Sequence, residues 1–259
     1  MNATPSPLDA VLHPVVFLGA GPGDPELITL KGRRLLDQAD VVVYAGSLVN
    51  PALLDGIAAR CHDSASLDLD TIMQLLADGY RQGLRVVRLH TGDPAIYGAI
   101  REQMQWLDAQ GIPYEVVPGV SSAFASAAAL KVELTVPEVT QTVIFTRQAG
   151  RTPVPERESL RNLARAQATM CIFLSVSLIA TVVDDLISGG YAPETPIAVV
   201  ERASWPDQQI VRGRLDDIAA HIQASRIKKT AMIVVGPALG EDSHIASKLY
   251  DASFSHEYR

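Results

Sequence analysis

The feature that most constrains the fold of this chain is an apolar segment that stops at a run of glycine and proline. Val15–Leu18 is apolar throughout, and Gly19-Ala-Gly-Pro-Gly-Asp-Pro25 follows it at once. A short apolar run with such a boundary is typical of a buried β-strand that ends in a tight loop. Leucines then recur near helical spacing from Glu26 to Gln38. A strand, a glycine loop and a helix in this order favour an α/β fold with a ligand site at the loop.

A dinucleotide-binding loop is the first alternative for this glycine run. That fingerprint has glycines at its first, third and sixth positions, and here Gly19 and Gly21 fit but the sixth residue is Asp24. The fingerprint also needs an acidic residue after the second strand, where Val41–Tyr44 is followed by Ala45-Gly46. The sequence therefore disfavours a nucleotide-dependent oxidoreductase. Another small-molecule site and a simple tight turn both stay open.

Composition and charge narrow the class of protein further. The 259 residues are 47% hydrophobic and 20% charged, which fits one large or two ordinary domains of a globular enzyme. The net charge of −7 argues against a nucleic-acid partner, because surfaces that bind nucleic acid are usually basic. Cys61 and Cys171 lie far apart and outside any metal-ligand spacing, so we expect reduced thiols and no bound metal.

The sequence also carries no sign of export or of a membrane span. Met1 to Pro14 has no basic segment followed by an apolar core, and no apolar run approaches spanning length. We therefore expect a cytoplasmic protein without a membrane partner.

Two further loops of the same kind follow later predicted strands. Leu84–Leu89 is followed by His90-Thr-Gly-Asp-Pro-Ala-Ile-Tyr-Gly98, and Pro113–Val117 by Pro118-Gly-Val-Ser-Ser122. The carboxyl ends of parallel strands lie at one edge of a sheet, so the loops can converge on one crevice. Taken alone, Asp93 is equally typical of an aspartate that caps a turn.

The second half of the chain is predicted to be another α/β domain. The segment from Lys131 to Thr140 contains Pro137 and has no helical stripe, which is typical of a connection between domains. We therefore expect domains of 1–136 and 137–259. Gln208–Gly213 alternates between polar and apolar residues, as an antiparallel edge strand does. Four apolar strands are predicted here, at Thr142–Thr146, Met170–Leu174, Pro196–Val200 and Ala231–Val235.

Four motifs, in this order and at these separations, resemble those of the tetrapyrrole methylases, which use S-adenosylmethionine to methylate precorrins. The resemblance runs from Val15 to about Leu239. It implies two α/β domains with a cofactor cleft between them, the tetrapyrrole methylase fold, and a homodimer. The motifs are Gly19-Ala-Gly-Pro-Gly-Asp24, Gly92-Asp-Pro-Ala-Ile-Tyr97, Val117-Pro-Gly-Val-Ser-Ser122 and Val200-Glu-Arg-Ala-Ser-Trp-Pro-Asp-Gln208.

Within that family the chain is similar to the branch that methylates precorrin-4 at C11 in cobalamin biosynthesis. Tyr44-Ala-Gly-Ser-Leu-Val-Asn-Pro51 carries this similarity, with the tail segments Ser247–Tyr250 and Phe254–His256. Uroporphyrinogen methyltransferases usually have Asp-Arg where this chain has Ala45-Gly46, which disfavours that substrate. The resemblance leaves open whether the precorrin-4 is metal-free or carries cobalt. Another precorrin or uroporphyrinogen C-methyltransferase is the alternative.

The resemblance also implies which residues bind S-adenosylmethionine. In the first half they follow the three glycine loops, and in the second half they lie at the ends of predicted strands. Leu174 stands where some relatives carry methionine. The implied set is Pro22, Thr91, Gly92, Asp93, Ile96, Ser121, Ser122, Leu174, Ala203, Thr230, Ala231 and Met232.

Methyl transfer from a sulfonium demands alignment rather than a nucleophilic side chain. Positive charge is lost from sulfur as a carbon attacks, so the protein mainly orients the two centres. No Ser-His-Asp or Cys-His arrangement is evident in the sequence. Tyr97, beside Asp93, is the candidate catalytic residue for contact with the reacting ring, and a packing tyrosine is an equal alternative.

Arginines near the start of the second half are candidates for the carboxylates of a tetrapyrrole, which arginine binds bidentately. Arg147 directly follows a predicted strand and is the preferred substrate-binding residue. Arg157, Arg161 and Arg165 recur every four residues, which is also typical of a solvated helix face. A diphthine precursor or ribosomal RNA as methyl acceptor, and a sensor without turnover, are the other functions to weigh.

Overall fold

The computed structural model describes residues 13–240, which form two compact units. The first contains residues 13–122 together with 204–206, and the second contains residues 123–203 and 207–240. The first of these units leaves the chain at residue 122, whereas the sequence places the domain boundary between residues 136 and 137. That boundary stays a prediction. The tail segments Ser247–Tyr250 and Phe254–His256, and most of the N-terminal segment, lie outside the described residues.

The first unit is built on a five-stranded parallel sheet in the spatial order β3-β2-β4-β1-β5. Four of its strands were predicted from apolar runs. The third was missed because its residues, Arg-Cys-His-Asp, form an exposed and polar edge strand. Its strands are β1 (Val15–Gly19), β2 (Val41–Tyr44), β3 (Arg60–Asp63), β4 (Val86–His90) and β5 (Tyr114–Val117).

Helices cover both faces of this sheet, as a parallel sheet requires. Helix α1 (Leu30–Asp37) buries Leu36 on one face, and α2 (Leu69–Arg81) and α3 (Arg101–Ala109) pack on the other. The helix expected from Glu26 begins only at Leu30, because Pro25–Leu27 forms a 3-10 turn. Pro51–Leu54 also forms a 3-10 turn rather than an α-helix, although proline is common at the start of α-helices.

The direction of the chain connections changes between the neighbouring strands β4 and β1. From β1 the chain crosses one face through α1 to β2, and from β4 it crosses the opposite face through α3 to β5. Two adjacent strands whose connections leave on opposite faces create a crevice at their carboxyl ends. The glycine loops after β1 and β4 stand at this switch point.

The second unit contains a mixed five-stranded sheet in the order β6-β7-β10-β8-β9. Strands β6 and β7 are parallel, and the other neighbours are antiparallel. The antiparallel edge strand expected near Gln208–Gly213 is confirmed as β9. The strands are β6 (Val143–Arg147), β7 (Thr169–Phe173), β8 (Pro196–Glu201), β9 (Gln209–Arg214) and β10 (Ala231–Val235).

Four helices flank the second sheet. Side chains of α6, α7 and the inner strands, such as Leu186, Ile218 and Ile233, form its buried core. The helices are α4 (Ser122–Leu130), α5 (Leu160–Ala164), α6 (Ile179–Gly189) and α7 (Ile218–Ser225). Within residues 13–240, no helix combines the length and apolar character that crossing a bilayer demands.

Candidate functional site

The three glycine loops of the first unit meet at the carboxyl edge of its sheet. Gly92 N–H donates to the carbonyl of Gly21 at 2.8 Å, and Gly21 N–H donates to the carbonyl of Gly92 at 3.3 Å. A Cβ built on Gly19 would lie 2.6 Å from Gly119 Cα and 2.7 Å from the carbonyl oxygen of Gly92. Only glycine allows this backbone approach. The predicted convergence of the loops is therefore confirmed.

Asp93 ties two of these loops together. Its Oδ2 accepts a hydrogen bond from Gly119 N–H at 2.9 Å, and its Oδ1 accepts one from Ala95 N–H at 2.8 Å. Bonds from backbone N–H groups to a carboxylate are stronger than bonds between neutral groups. The second bond is the turn role that the sequence also allowed. Any contact of Asp93 with a ligand would add to this structural role.

The loop after β4 has an unusual backbone conformation at and near Tyr97. Tyr97 has φ of +55° and Ala99 has φ of +49°, both in the left-handed region that non-glycine residues seldom occupy. Between them, a Cβ on Gly98 would lie 2.9 Å from the carbonyl carbon of Pro94. The Tyr97 side chain is 45% exposed. Strained backbone of this kind is concentrated at functional sites.

The loop after β1 is held by a segment far away in sequence. Trp205 Nε1–H donates to the carbonyl of Pro22 at 3.0 Å, and Ser204 Oγ accepts from Asp24 N–H at 3.0 Å. The indole is buried and covers Gly23, where a Cβ would overlap it. Trp205 and Ser204 belong to one of the four motifs, and the structure gives that motif a role in supporting the first loop.

Asn50 supports the same loop from another side. Its Nδ2 donates to the carbonyl of Gly23 at 2.8 Å, while its Oδ1 accepts from Ala52 N–H at 3.1 Å. Asn50 therefore starts the 3-10 turn Pro51–Leu54 and fixes the glycine loop at once. This gives a structural reason for asparagine in the Tyr44–Pro51 segment.

The predicted cofactor residues of the first unit all lie at this switch point. Thr91, Gly92, Asp93 and Ile96 share the loop after β4, with Thr91 exposed and Ile96 half-buried. A Cβ on Gly92 would have Ser121 Cα and Ser122 N as its nearest neighbours, each at 3.8 Å. Ser121 is buried and Ser122 half-buried, and Pro22 is buried with its carbonyl bonded to Trp205.

His90, the last residue of β4, was missed by the sequence analysis. It is buried, and within residues 13–240 its Nε2 has no hydrogen-bond partner. Burial, and secondly the charge of Arg88, lower the pKa of His90 to about 3. The imidazole is therefore neutral at physiological pH. The sequence did carry a signal for this buried polar pair: Arg88 and His90 interrupt the otherwise apolar strand β4.

The predicted residues of the second unit lie at one edge of its own sheet. Arg202 N–H donates to the carbonyl of Thr230 at 2.9 Å, so Ala203 and the segment Thr230–Met232 are brought together. Leu174 follows β7, whose end lies beside the start of β10. It is 72% exposed and has φ of +54°.

Arg147 ends β6 at the same edge, but its guanidinium is largely occupied. It donates to the carbonyls of Thr152 at 3.1 Å and Pro153 at 2.8 Å, and more weakly to that of Gln148 at 3.4 Å. The side chain thus holds the loop that follows β6 and has fewer donors left for a substrate carboxylate.

The three arginines at steps of four are exposed, as a solvated surface requires. They do not share one helix, because a 3-10 turn carries Arg157 and α5 begins after it, at Leu160. Arg157 pairs with its neighbour Glu158 at 3.3 Å.

The described part of the chain contains no cluster of side chains that suits a metal site. Among residues 13–240, no group of three or more His, Cys, Asp or Glu side chains could hold a metal ion. Cys61 is exposed, and burial raises the pKa of the Cys171 thiol to about 12.

Known proteins with similar sequences agree on one family. The sequence profile described as Tetrapyrrole (Corrin/Porphyrin) Methylases matches residues 14–219. A cobalt-precorrin-4 C(11)-methyltransferase of Methanocaldococcus jannaschii is 57% identical over 247 residues, covering 95% of each chain. A precorrin-4 C(11)-methyltransferase of Pseudomonas aeruginosa is 52% identical over 246 residues, which cover 95% of this chain and 98% of that one.

Solved structures of methyltransferases that act on tetrapyrroles are also similar to this chain. The X-ray structure of a cobalt precorrin-4 methyltransferase, a cobalamin biosynthetic enzyme, matches with a TM-score of 0.86 at 46% identity, covering 92% of this chain and 100% of that one. A uroporphyrin-III C-methyl transferase of Thermus thermophilus, solved with S-adenosylhomocysteine, matches with a TM-score of 0.76 at 32% identity. It covers 88% of this chain and 99% of that one.

Proposed function

Because this chain belongs to the tetrapyrrole methylases, we propose that it transfers a methyl group from S-adenosylmethionine to C11 of precorrin-4 and gives precorrin-5 in cobalamin biosynthesis. The observation that carries this proposal is the high identity, over nearly the whole chain, to one protein named as a cobalt-precorrin-4 C(11)-methyltransferase and one named as a precorrin-4 C(11)-methyltransferase. The convergence of three glycine loops at the switch point supports the cofactor part of the proposal independently.

The residues of the first-unit loops suit S-adenosylmethionine in their chemistry. Gly92 has φ of +60°, and a Cβ there would make ordinary contacts with Ser121 Cα and Ser122 N, each at 3.8 Å, whereas a Cβ on Gly19 would collide with neighbouring backbone. The hydroxyls of Thr91 and Ser122 suit the ribose and amino-acid groups of the cofactor, and Ile96 offers an apolar surface to adenine. Residues Leu174, Ala203 and Thr230–Met232 are further proposed contacts.

The chain itself contributes rigid positioning. When bound, S-adenosylmethionine supplies an activated methyl group on a positively charged sulfur. Alignment of that group with a carbon nucleophile can lower the barrier by about 7–11 kcal/mol. The Gly21–Gly92 backbone pairing and the two bonds of Asp93 fix the loops before a ligand arrives. No covalent intermediate with a side chain is needed.

We place Tyr97 against the reacting ring, because its side chain is exposed and its backbone is held in a strained conformation. Tyr97→Phe and Tyr97→Ala should both lower the turnover number while cofactor affinity changes little. Normal turnover in both variants would refute this role.

Calorimetric titration with S-adenosylhomocysteine tests the cofactor site. Asp93→Ala alone is a poor probe, because the carboxylate also holds the loops together. We therefore expect weaker binding in Thr91→Val and Ser122→Ala, with Ser225→Ala at the end of α7 as the matched hydroxyl control. If the wild-type protein does not bind this compound, the methyltransferase proposal is wrong.

The substrate is tested by methyl transfer from radiolabelled cofactor. Metal-free and cobalt-bound precorrin-4 should be assayed side by side, because the two similar relatives carry names of both kinds. Uroporphyrinogen, RNA and a diphthine precursor complete the set of acceptors. Label that appears only in one of the latter three would overturn the C11 assignment, and binding without transfer to any acceptor would favour a sensor.

We also propose a homodimer, which the resemblance to the family implies, and a cytoplasmic location. Light scattering after size-exclusion chromatography should give twice the mass of the chain. Cell fractionation should recover the protein with cytoplasmic markers.

A further inference from the structure

We propose that Arg88 and Gln103 are positioning residues that fix the loop carrying Tyr97, acting through the backbone carbonyl of Ala99. This inference rests on the proposed function, because it assigns these two buried side chains to the placement of Tyr97 during methyl transfer.

A continuous chain of hydrogen bonds links the central strand to this loop. Arg88 Nε–H donates to Gln103 Oε1 at 3.3 Å, and Gln103 Nε2 donates to the carbonyl of Ala99 at 2.9 Å. Both side chains are more than nine-tenths buried. Gln103 lies in the first turn of α3, so it holds the carbonyl just ahead of the helix that receives the loop.

The same guanidinium also reaches the end of β2. Arg88 Nη1 donates to the carbonyl of Val43 at 3.2 Å and to Ser64 Oγ at 3.0 Å, and Ser64 Oγ donates to the carbonyl of Tyr44 at 2.8 Å. Tyr44 begins the segment Tyr44–Pro51. One buried side chain therefore joins two loops that both lie at the carboxyl edge of the parallel sheet.

A purely structural reason for this arginine is weak. A buried cation is costly unless it is well hydrogen-bonded, and the acceptors described above are neutral: an amide oxygen, a carbonyl and a hydroxyl. Burial lowers the pKa of Arg88 to about 10, so the group still carries its charge at neutral pH. An apolar side chain would fill such a position at a lower desolvation cost. This indicates that the hydrogen bonds of Arg88 serve a purpose other than stability.

The loop supplies that use. Tyr97 and Ala99 both have positive φ, and such conformations persist only where the surroundings over-determine them. The start of the loop is fixed separately, by the Gly21–Gly92 pairing and by Asp93. The Gln103 bond to Ala99 fixes its far end. Loss of that bond should therefore disturb Tyr97 more than the cofactor residues.

The test compares Gln103→Leu and Gln103→Glu with the control Leu107→Ala. Glutamate keeps an acceptor for Arg88 and adds an opposite charge, but it removes the donor to the Ala99 carbonyl. Leu107 is fully buried one turn further along α3, so its truncation destabilises the same region without removing a bond to the loop. Three quantities are measured: the turnover number, the dissociation constant of S-adenosylhomocysteine, and amide hydrogen exchange in residues 94–100.

Both Gln103 variants should lose at least tenfold in turnover number, bind S-adenosylhomocysteine within threefold of wild type, and exchange the loop amides faster. Leu107→Ala should unfold at lower denaturant concentration but keep its turnover number and loop exchange. Normal turnover and exchange in Gln103→Glu, or equal losses in Leu107→Ala, would overturn the inference. The proposed function fails separately, through absent cofactor binding or methyl transfer in the wild-type protein, and the exchange measurement then still tests the loop contact.

Discussion

The contact between Gly23 and Trp205 offers a quantitative test of how the first loop is built. A Cβ on Gly23 would overlap Cδ1 and Nε1 of the indole and lie 2.8 Å from its Cγ. The ring is buried and bonded to the carbonyl of Pro22, so it cannot move freely. Overpacking costs about 1–3 kcal/mol, and a lost hydrogen bond about 0.5–1.5 kcal/mol. Gly23→Ala should therefore lower the free energy of unfolding by about 2–4 kcal/mol.

A double-mutant cycle separates this overlap from other causes. Trp205→Ala alone should cost about 3–5 kcal/mol, because it truncates a large buried side chain. Without the indole, the three atoms nearest to the new methyl group are gone, so Gly23→Ala should cost little stability in that background. We expect the loss of unfolding free energy in the double variant to be smaller than the sum of the two single losses by about 1–3 kcal/mol.

The assay is chemical denaturation followed by far-ultraviolet circular dichroism, together with S-adenosylhomocysteine titration. Gly150→Ala is the matched control, because among residues 13–240 a Cβ there would meet only Leu178 Cδ1, at an ordinary 3.6 Å. Additive effects, within about 0.5 kcal/mol, would refute the proposed overlap. Weaker cofactor binding in Gly23→Ala, together with unchanged binding in Gly150→Ala, would link the position of the first loop to the cofactor site.

Three further outcomes follow from single contacts. The folded pKa of His90, about 3, lies below its ordinary 6.5, so the unfolded chain binds the extra proton and stability falls as pH drops below 6.5. His90→Gln should remove about 2 kcal/mol of the loss between pH 6.5 and 5, measured by denaturation at both pH values, and an unchanged loss would contradict this. Gly19→Ala should cost about 3 kcal/mol and weaken S-adenosylhomocysteine binding, because its Cβ would meet backbone at 2.6 Å. Thr169→Val should cost about 1–3 kcal/mol of unfolding free energy with unchanged cofactor affinity, because it leaves the buried carbonyl of Leu134 without the 2.8 Å bond from Oγ1.

The sequence predicted the strands and loops whose signals are local. The apolar runs of β1, β2 and β4 stand out because both faces of a parallel sheet are buried. The glycines that follow them mark places where backbones touch, as Gly19 shows. Strand β3 lacked any such signal, because Arg60–Asp63 lies at an exposed edge where apolar residues are not required.

The contacts that hold the candidate site could not be predicted in the same way. Trp205 meets Pro22 across 183 positions of sequence, and no periodicity reports such a pairing. The bonds of Arg147 to the carbonyls of its own loop depend on the path of residues 148–153, which propensity does not define. The role of Arg88 needed the position of Gln103 on a neighbouring helix.

The three residues 204–206, which belong to the first unit although their neighbours in sequence belong to the second, have a consequence for how the protein is made. The ribosome completes the parallel sheet and its three glycine loops long before Trp205 emerges. Until then the carbonyl of Pro22 and the surface of Gly23 have no indole to cover them. A nascent chain or a fragment ending at residue 122 therefore holds every strand of the first unit but not its finished first loop, and maturation of that loop is coupled to the synthesis of most of the second unit.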